Sequence, residues 1–186
     1  MAKNRLSKED WIAAGFRALS SKGAPSLKAE ALARELGTTK GSFYWHFADV
    51  PAFHNAMLDL WEDRAFQDIA EGMDQIENPV MRLRALGAAA AESTPEEFGG
   101  NNAEPAIRAW AQENKTVAQA VTRVDTRRMD YVASILKDIG VTNPEITRLI
   151  YGAYVGMSEL SARDAQDNGQ AMGTLVDLVL ALYEDA

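Results

Sequence analysis

Apolar residues recur at spacings of three and four along most of this chain, and the strict alternation expected of a half-buried strand is almost absent. That periodicity predicts an all-α protein with about nine helices. The punctuation between the apolar runs agrees with it. Ser7-Lys8-Glu9-Asp10 is a capping-box pattern ahead of Trp11, Ile12, Gly15, Phe16 and Leu19, and Lys22-Gly23-Ala24-Pro25 closes that helix. Ser26 is placed to cap a short second helix with Leu27, Ala31, Leu32 and Leu36 inward, ending at Gly37. Thr38 or Thr39 can cap a third through Phe47. Asp49 can cap a long fourth helix, with Pro51 tolerated in its first turn and Phe53, Met57, Leu60, Trp61, Arg64 and Ile69 along it. Asn78-Pro79 opens a helix to Ala91, and further helices are expected over 105–114, 116–139, 144–166 and 169–184. The breaker-rich stretch STPEEFGGNNAEP, residues 93–105, reads as a mobile loop. Three short helices followed by long ones place a domain boundary within residues 48–52, giving an N-terminal domain of residues 1–50 and a helical body of residues 51–186.

No apolar run approaches the roughly 20 residues of a membrane span, and MAKNRLSKED lacks the apolar core of a secretion signal. The chain has no cysteine, so it has neither a disulfide framework nor thiolate chemistry, and a cytoplasmic location is expected. The Asn114-Lys115-Thr116 sequon reads as chance. The net charge of −8 argues against a polyanionic partner until it is divided by segment. Residues 1–50 carry eight Lys/Arg against five Asp/Glu, whereas residues 51–186 carry eleven against twenty-two. Any polyanion should therefore meet the front of the molecule.

A short helix, a turn containing Gly37 and a second short helix follow the helix-turn-helix plan. Gly37 can take the left-handed conformation that turns the chain. Thr39 can cap the third helix and leave its positive dipole end outward. A helix presented in this way fits the DNA major groove. Lys40 would then stand where a donor to guanine O6/N7 is useful, and Gly41 would permit close backbone approach. Ser42, Tyr44, Trp45 and His46 offer hydroxyl, indole and imidazole donors for phosphate oxygens. Phe43 and Phe47, four apart, share a face and belong to the core. Trp45 suits either the groove edge or a lid over the bundle. His46 and His54 are the only histidines and fall on different expected helices, so no metal site and no cofactor are expected.

With these residues in view, LARELGTTKGSFYWHFADVPAF, residues 32–53, resembles the DNA-binding signature of the TetR (tetracycline-repressor-like) transcriptional regulators. The matching positions are Leu32, Ala33, Gly37, Thr38, Thr39, Gly41, Ser42, Phe43, Tyr44, His46 and Phe47. The resemblance implies a repressor of a palindromic operator, a small-molecule effector bound in the body, and a homodimer formed by the last two helices. Two positions depart from the family pattern. Thr38 stands where an aliphatic residue is common, and Val50 stands where a lysine often anchors phosphate at the start of the fourth helix. Lys28, near the second helix, can partly compensate.

In the body, Trp61, Phe66, Met81, Trp110, Met129 and Tyr131 are large enough to line an effector pocket, although each also suits ordinary core. Arg108, Arg123, Arg127 and Arg128 read as a solvated face, and any one turned inward would suit an anionic ligand. Residues 144–166 and 169–184 are apolar on more than one side, so each helix needs two partners. Tyr151, Val155, Met172, Leu175, Val176, Val179 and Leu182 are the candidates for a dimer interface. Nothing marks an acid–base pair or a metal-binding Glu-x-x-His, so an enzyme is not expected. The competing reading is a helix-turn-helix protein-interaction module that has lost DNA binding.

Overall fold

The computed structural model describes residues 6–90 and 95–183, with side-chain positions for all of these except residues 66–71. The described residues form nine α-helices and no strand: α1 (Lys8–Lys22), α2 (Ala29–Glu35), α3 (Lys40–Tyr44), α4 (Val50–Met73), α5 (Pro79–Ala89), α6 (Ala103–Ala111), α7 (Lys115–Ile139), α8 (Pro144–Asp164) and α9 (Gly169–Tyr183). The chain separates into two compact units, Met1–Trp61 with Ser93–Val121 and Glu62–Glu92 with Thr122–Ala186. The division therefore falls within α4 and within α7, rather than at the single point expected near residues 48–52. The reason is visible at the start of α4. Phe53, Met57 and Leu58 are buried, and a methyl group on Gly15 of α1 would lie 2.6 Å from the Phe53 ring.

Local capping explains most of the helix starts. Ser7 and Asp10 form the reciprocal capping box of α1, with the Ser7 hydroxyl accepting from the Asp10 N–H and the Asp10 carboxylate accepting from the Ser7 N–H. Asp49 accepts from Ala52 N–H at 2.7 Å, and Asn78, Asn114 and Asn143 cap α5, α7 and α8 in the same way. The Asn114 cap starts α7 at Lys115 rather than Thr116. Ser26 does not cap α2. Residues Ala24–Ser26 make a 3₁₀ turn in which the Ser26 hydroxyl donates back to Gly23 O, and the backbone of Lys28 opens α2 instead. The third helix stops at Tyr44, short of the expected Phe47.

The segment expected to be a loop is wound up instead. Its described part forms two 3₁₀ turns, Glu96–Phe98 and Gly100–Asn102, and α6 begins at Ala103, inside the stretch. Phe98 meets Phe16 of α1 edge to face at 6.1 Å, and Arg17 donates to Glu97 O at 3.3 Å. Gly99, at φ 91°, is held so close to α1 that an added Cβ would fall 3.0 Å from Phe16 O. Only glycine suits that position. Residues 93–94 lie outside the described residues.

Phe43 is the hub of the first unit. It is fully buried, with ring centroids 5.3 Å from Trp11, 5.1 Å from Phe47 and 5.3 Å from Phe53, so α1, α3 and α4 meet on one side chain. Aromatic pairs at such distances add to the gain from burial. His54 lies beside this core, half-buried, with Nε2 3.3 Å from Leu27 O and its ring 4.9 Å from that of Trp110. Burial lowers the His54 pKa below 6.5, and the bond to Leu27 O offsets only part of this.

Two expectations follow. Phe43→Ala removes the ring on which three helices converge and should cost about 3–5 kcal/mol, measured by urea denaturation. For His54, the unfolded chain binds the proton more readily than the folded one. Its contribution to stability is therefore present at neutral pH and lost as pH falls through about 6.5. Thermal melts at pH 7.5 and 5.5 should give a larger drop in the wild type than in His54→Gln.

Candidate functional site

The site begins with how α2 ends. Gly37 adopts φ 62°, Thr38 N–H bonds to Ala33 O at 2.8 Å and Gly37 N–H to Arg34 O at 3.2 Å, which together make a Schellman closure. Two residues later the Thr39 hydroxyl accepts from Ser42 N–H at 3.3 Å and starts α3. Thr38 is half-buried in this turn. Phe43 and Phe47 point into the core, which fixes the opposite side of α3 outward. There Thr39, Lys40, Gly41, Tyr44 and Trp45 are exposed, while Ser42 and His46 are half-buried; Lys28, at the start of α2, is exposed as well. Trp45, which the sequence left between two roles, is 79% exposed and is not a lid. Val50 begins α4 beside the Asp49 cap.

One member of this constellation was not legible in the sequence. Glu30 of α2 accepts a hydrogen bond from Lys40 Nζ at 2.6 Å, across the turn. The Lys40 hydrogen bond and charge lower the Glu30 pKa, and the same bond raises that of Lys40. The outward cation of α3 is thus already matched with a carboxylate.

The second unit contains a half-enclosed cavity of about 60 Å³, set among α5, α7, α8 and α9 with Ala65 of α4 at its edge. Leu83, Gly87, Val132, Ile150 and Val176 supply aliphatic wall, and Tyr131, Tyr151 and Tyr154 supply rings. Arg128 also lines it, so one of the four arginines read as solvated does turn inward. Its Nε donates to Ala65 O at 3.1 Å and its guanidinium lies 5.3 Å from the Tyr154 ring centre. Tyr151 donates to Asp125 at 2.7 Å and Tyr131 to Asp74 at 3.1 Å. Burial, followed by the Asp74 bond, pushes the Tyr131 pKa up to about 12. Arg108 pairs with Glu104 at 2.8 Å, and Arg123 Nε with Glu62 at 2.8 Å.

Of the six large residues expected to line a pocket, Tyr131 lines this cavity. Trp61 and Trp110 are buried in the first unit, Met81 is exposed on α5, and Met129 is half-buried on α7 without reaching the lining. The Phe66 side chain lies outside the described residues. The candidate interface residues also divide. Tyr151, Met172, Val176 and Val179 are buried within their own unit, where Met172, Val176 and Val179 belong to one apolar cluster with Leu83, Ile135 and Ile150. Val155 and Leu175 are half-buried and Leu182 is exposed. The apolar residues that do face outward are Leu149 and Leu160 on α8 and Leu178 and Leu182 on α9, with Gly152 and Gly156 open beside them.

Among the described residues no group of His, Asp and Glu is placed to hold a metal ion, and no helix is long and apolar enough to cross a membrane.

Comparison with known proteins places these features. Residues 12–49 match the family model of bacterial regulatory proteins, tetR family. No curated protein matches the sequence. Solved structures match over nearly the whole chain. A transcriptional regulator from Rhodococcus sp. Rha1 superposes with a TM-score of 0.76 at 16% identity, covering 96% of each chain. A TetR transcription regulator from Haloarcula marismortui gives 0.73 at 18% identity, also covering 96% of each. The fatty acid degradation regulator FadR from Bacillus halodurans gives 0.73 at 16% identity, covering 96% of this chain and 97% of that one. At these identities the structures establish the shared fold, and the family model covers α1 through the turn that precedes α4. The chain thus carries, over residues 12–49, the sequence of a tetR-family helix-turn-helix region, and over nearly its whole length it shares the all-helical fold of these solved regulators.

Proposed function

We propose that this protein is a dimeric, sequence-specific DNA-binding regulator, a repressor released from a palindromic operator by a small-molecule effector. The observation that carries the reading is the α2–turn–α3 unit, whose aromatic inner side is locked into the core and whose outer side displays Lys40, Gly41, Tyr44 and Trp45. In the major groove Lys40 reaches a guanine edge, while Lys28, Thr39, Ser42, Tyr44, Trp45 and His46 hold phosphates. DNA binding belongs to residues 1–50, and effector binding and dimerisation to residues 51–186. The cavity of the second unit is the effector site. Two copies pair through the outward apolar stripe of α8 and α9, which includes Leu149, Leu160, Leu178 and Leu182. Two-fold symmetry then supplies the two recognition helices that a palindrome requires. The effector lowers operator affinity by favouring a conformation that does not match the half-site spacing.

A gel shift with the DNA flanking the protein's own gene tests the reading directly. A retarded, footprinted complex is expected. A folded protein that leaves that DNA untouched would leave the helix-turn-helix as a protein-contact module. Titration of the complex with salt probes the unusual Val50. Val50→Lys should add a phosphate contact and steepen the log–log salt slope by about 0.9; an unchanged slope would remove that position from the interface. Leu178→Glu puts a charge into the proposed stripe and should give monomers in analytical ultracentrifugation, together with loss of full-operator binding.

A further inference from the structure

We infer that the effector cavity takes an uncharged, apolar molecule and discriminates against both carboxylates and amines of the same shape. The inference rests on the regulator reading only in calling the ligand an effector; the binding preference stands on the wall itself.

The wall is almost entirely carbon, although four of the side chains that form it, Arg128, Tyr131, Tyr151 and Tyr154, carry polar ends with donors. The Arg128, Tyr131 and Tyr151 ends are already bonded to other groups. The Tyr151 hydroxyl donates to Asp125 and the Tyr131 hydroxyl to Asp74, so both tyrosines present ring carbon to the space. Arg128 donates from Nε to the Ala65 carbonyl and lies across the Tyr154 ring. An arriving carboxylate would lose its hydration against a wall that turns almost no polar atom to the space, and attraction to Arg128, held against the Ala65 carbonyl and the Tyr154 ring, offsets only part of that cost. Burial of an ionised group without full compensation is strongly unfavourable. An arriving ammonium meets three tyrosine rings, which by themselves favour cations. Arg128 already occupies the face of one ring, and its charge opposes a second cation nearby. A neutral hydrocarbon group faces neither cost and gains the contact area of Leu83, Val132, Ile150 and Val176.

Size adds a second restriction. At about 60 Å³ the cavity is smaller than the roughly 150 Å³ apolar cavity that encloses benzene. Met172, an unbranched thioether in the lining, is the part of the wall best able to yield. The half-enclosed mouth lets a ligand project beyond the cavity. A single ring or a short hydrocarbon arm is therefore the expected occupant.

Toluene, benzoate and benzylamine share a ring and nearly share a volume, and differ in charge. Binding of each to the full chain is measured by isothermal calorimetry, and the thermal shift of the protein is recorded alongside. Toluene should bind, with benzoate and benzylamine at least tenfold weaker. Ala90→Leu adds carbon to the lining and should abolish toluene binding while the melting temperature holds or rises. Benzoate or benzylamine binding as tightly as toluene would overturn the inference. So would failure of toluene to bind, or toluene binding that Ala90→Leu leaves unchanged. Operator binding is followed separately by gel shift. A protein that prefers toluene yet binds no DNA refutes the regulator reading and keeps the ligand preference, whereas the opposite pair of results does the reverse.

Discussion

Everything that the first unit offers to a partner depends on where the Phe43 ring sits. α3 has five residues, too few to be stable as an isolated helix, because nucleation consumes most of what so few hydrogen bonds return. Its persistence and its direction come from tertiary contact. Trp11 approaches the Phe43 ring edge to face from α1 and Phe53 does so from α4, while Phe47 tilts against it from the end of the same segment. Rotation of α3 by one residue would carry a phenylalanine into solvent and Lys40 or Tyr44 into the core. The inner face therefore determines the outer one, and the displayed side chains take their register from it.

Much of this was legible in the sequence because the controlling interactions are local. The Ser7 box, the Asp49 and Asn78 caps and the Gly37 turn each join residues at most five apart, and each lies where spacing alone places it. The misreadings arose where a distant contact decided the outcome. Ser26 has the chemistry of a cap, but its hydroxyl is taken by Gly23 O in a 3₁₀ turn. Gly, Asn and Pro make residues 93–105 resemble a loop, and only the meeting of Phe98 with Phe16 reveals why the described part is wound against α1. Size identified Trp61 and Trp110 as large without telling which unit they fill. α9 is apolar nearly all round, so periodicity could not separate Met172, Val176 and Val179, which face inward, from Leu178 and Leu182, which face out. Arg128 was read with Arg108, Arg123 and Arg127 as a solvated face, and it is the Ala65 carbonyl and the Tyr154 ring that hold it at the cavity.

The two units solve different problems with the same all-helical means. The first uses a dense aromatic core to hold a short helix rigid. In the second, tyrosines on α7 and α8 direct their hydroxyls to carboxylates and leave carbon facing a small space. Unfilled volume of this kind forfeits dispersion contacts along its wall. Helices α4 and α7 each contribute residues to both units.

The Glu30–Lys40 pair has a consequence for how such a protein would search DNA. An ammonium already bonded to a carboxylate at 2.6 Å gains from a phosphate only the difference between two similar attractions. If the chain binds DNA as proposed, this pair and the net charge of −8 would both weaken its hold on unrelated sequence, where backbone charge is all that is offered. A guanine edge in register supplies paired acceptors that a passing phosphate does not, and there the exchange of partners is worthwhile. On the proposed reading, an acidic residue beside the outward face of α3 would lower general affinity for DNA and so shorten each unproductive encounter.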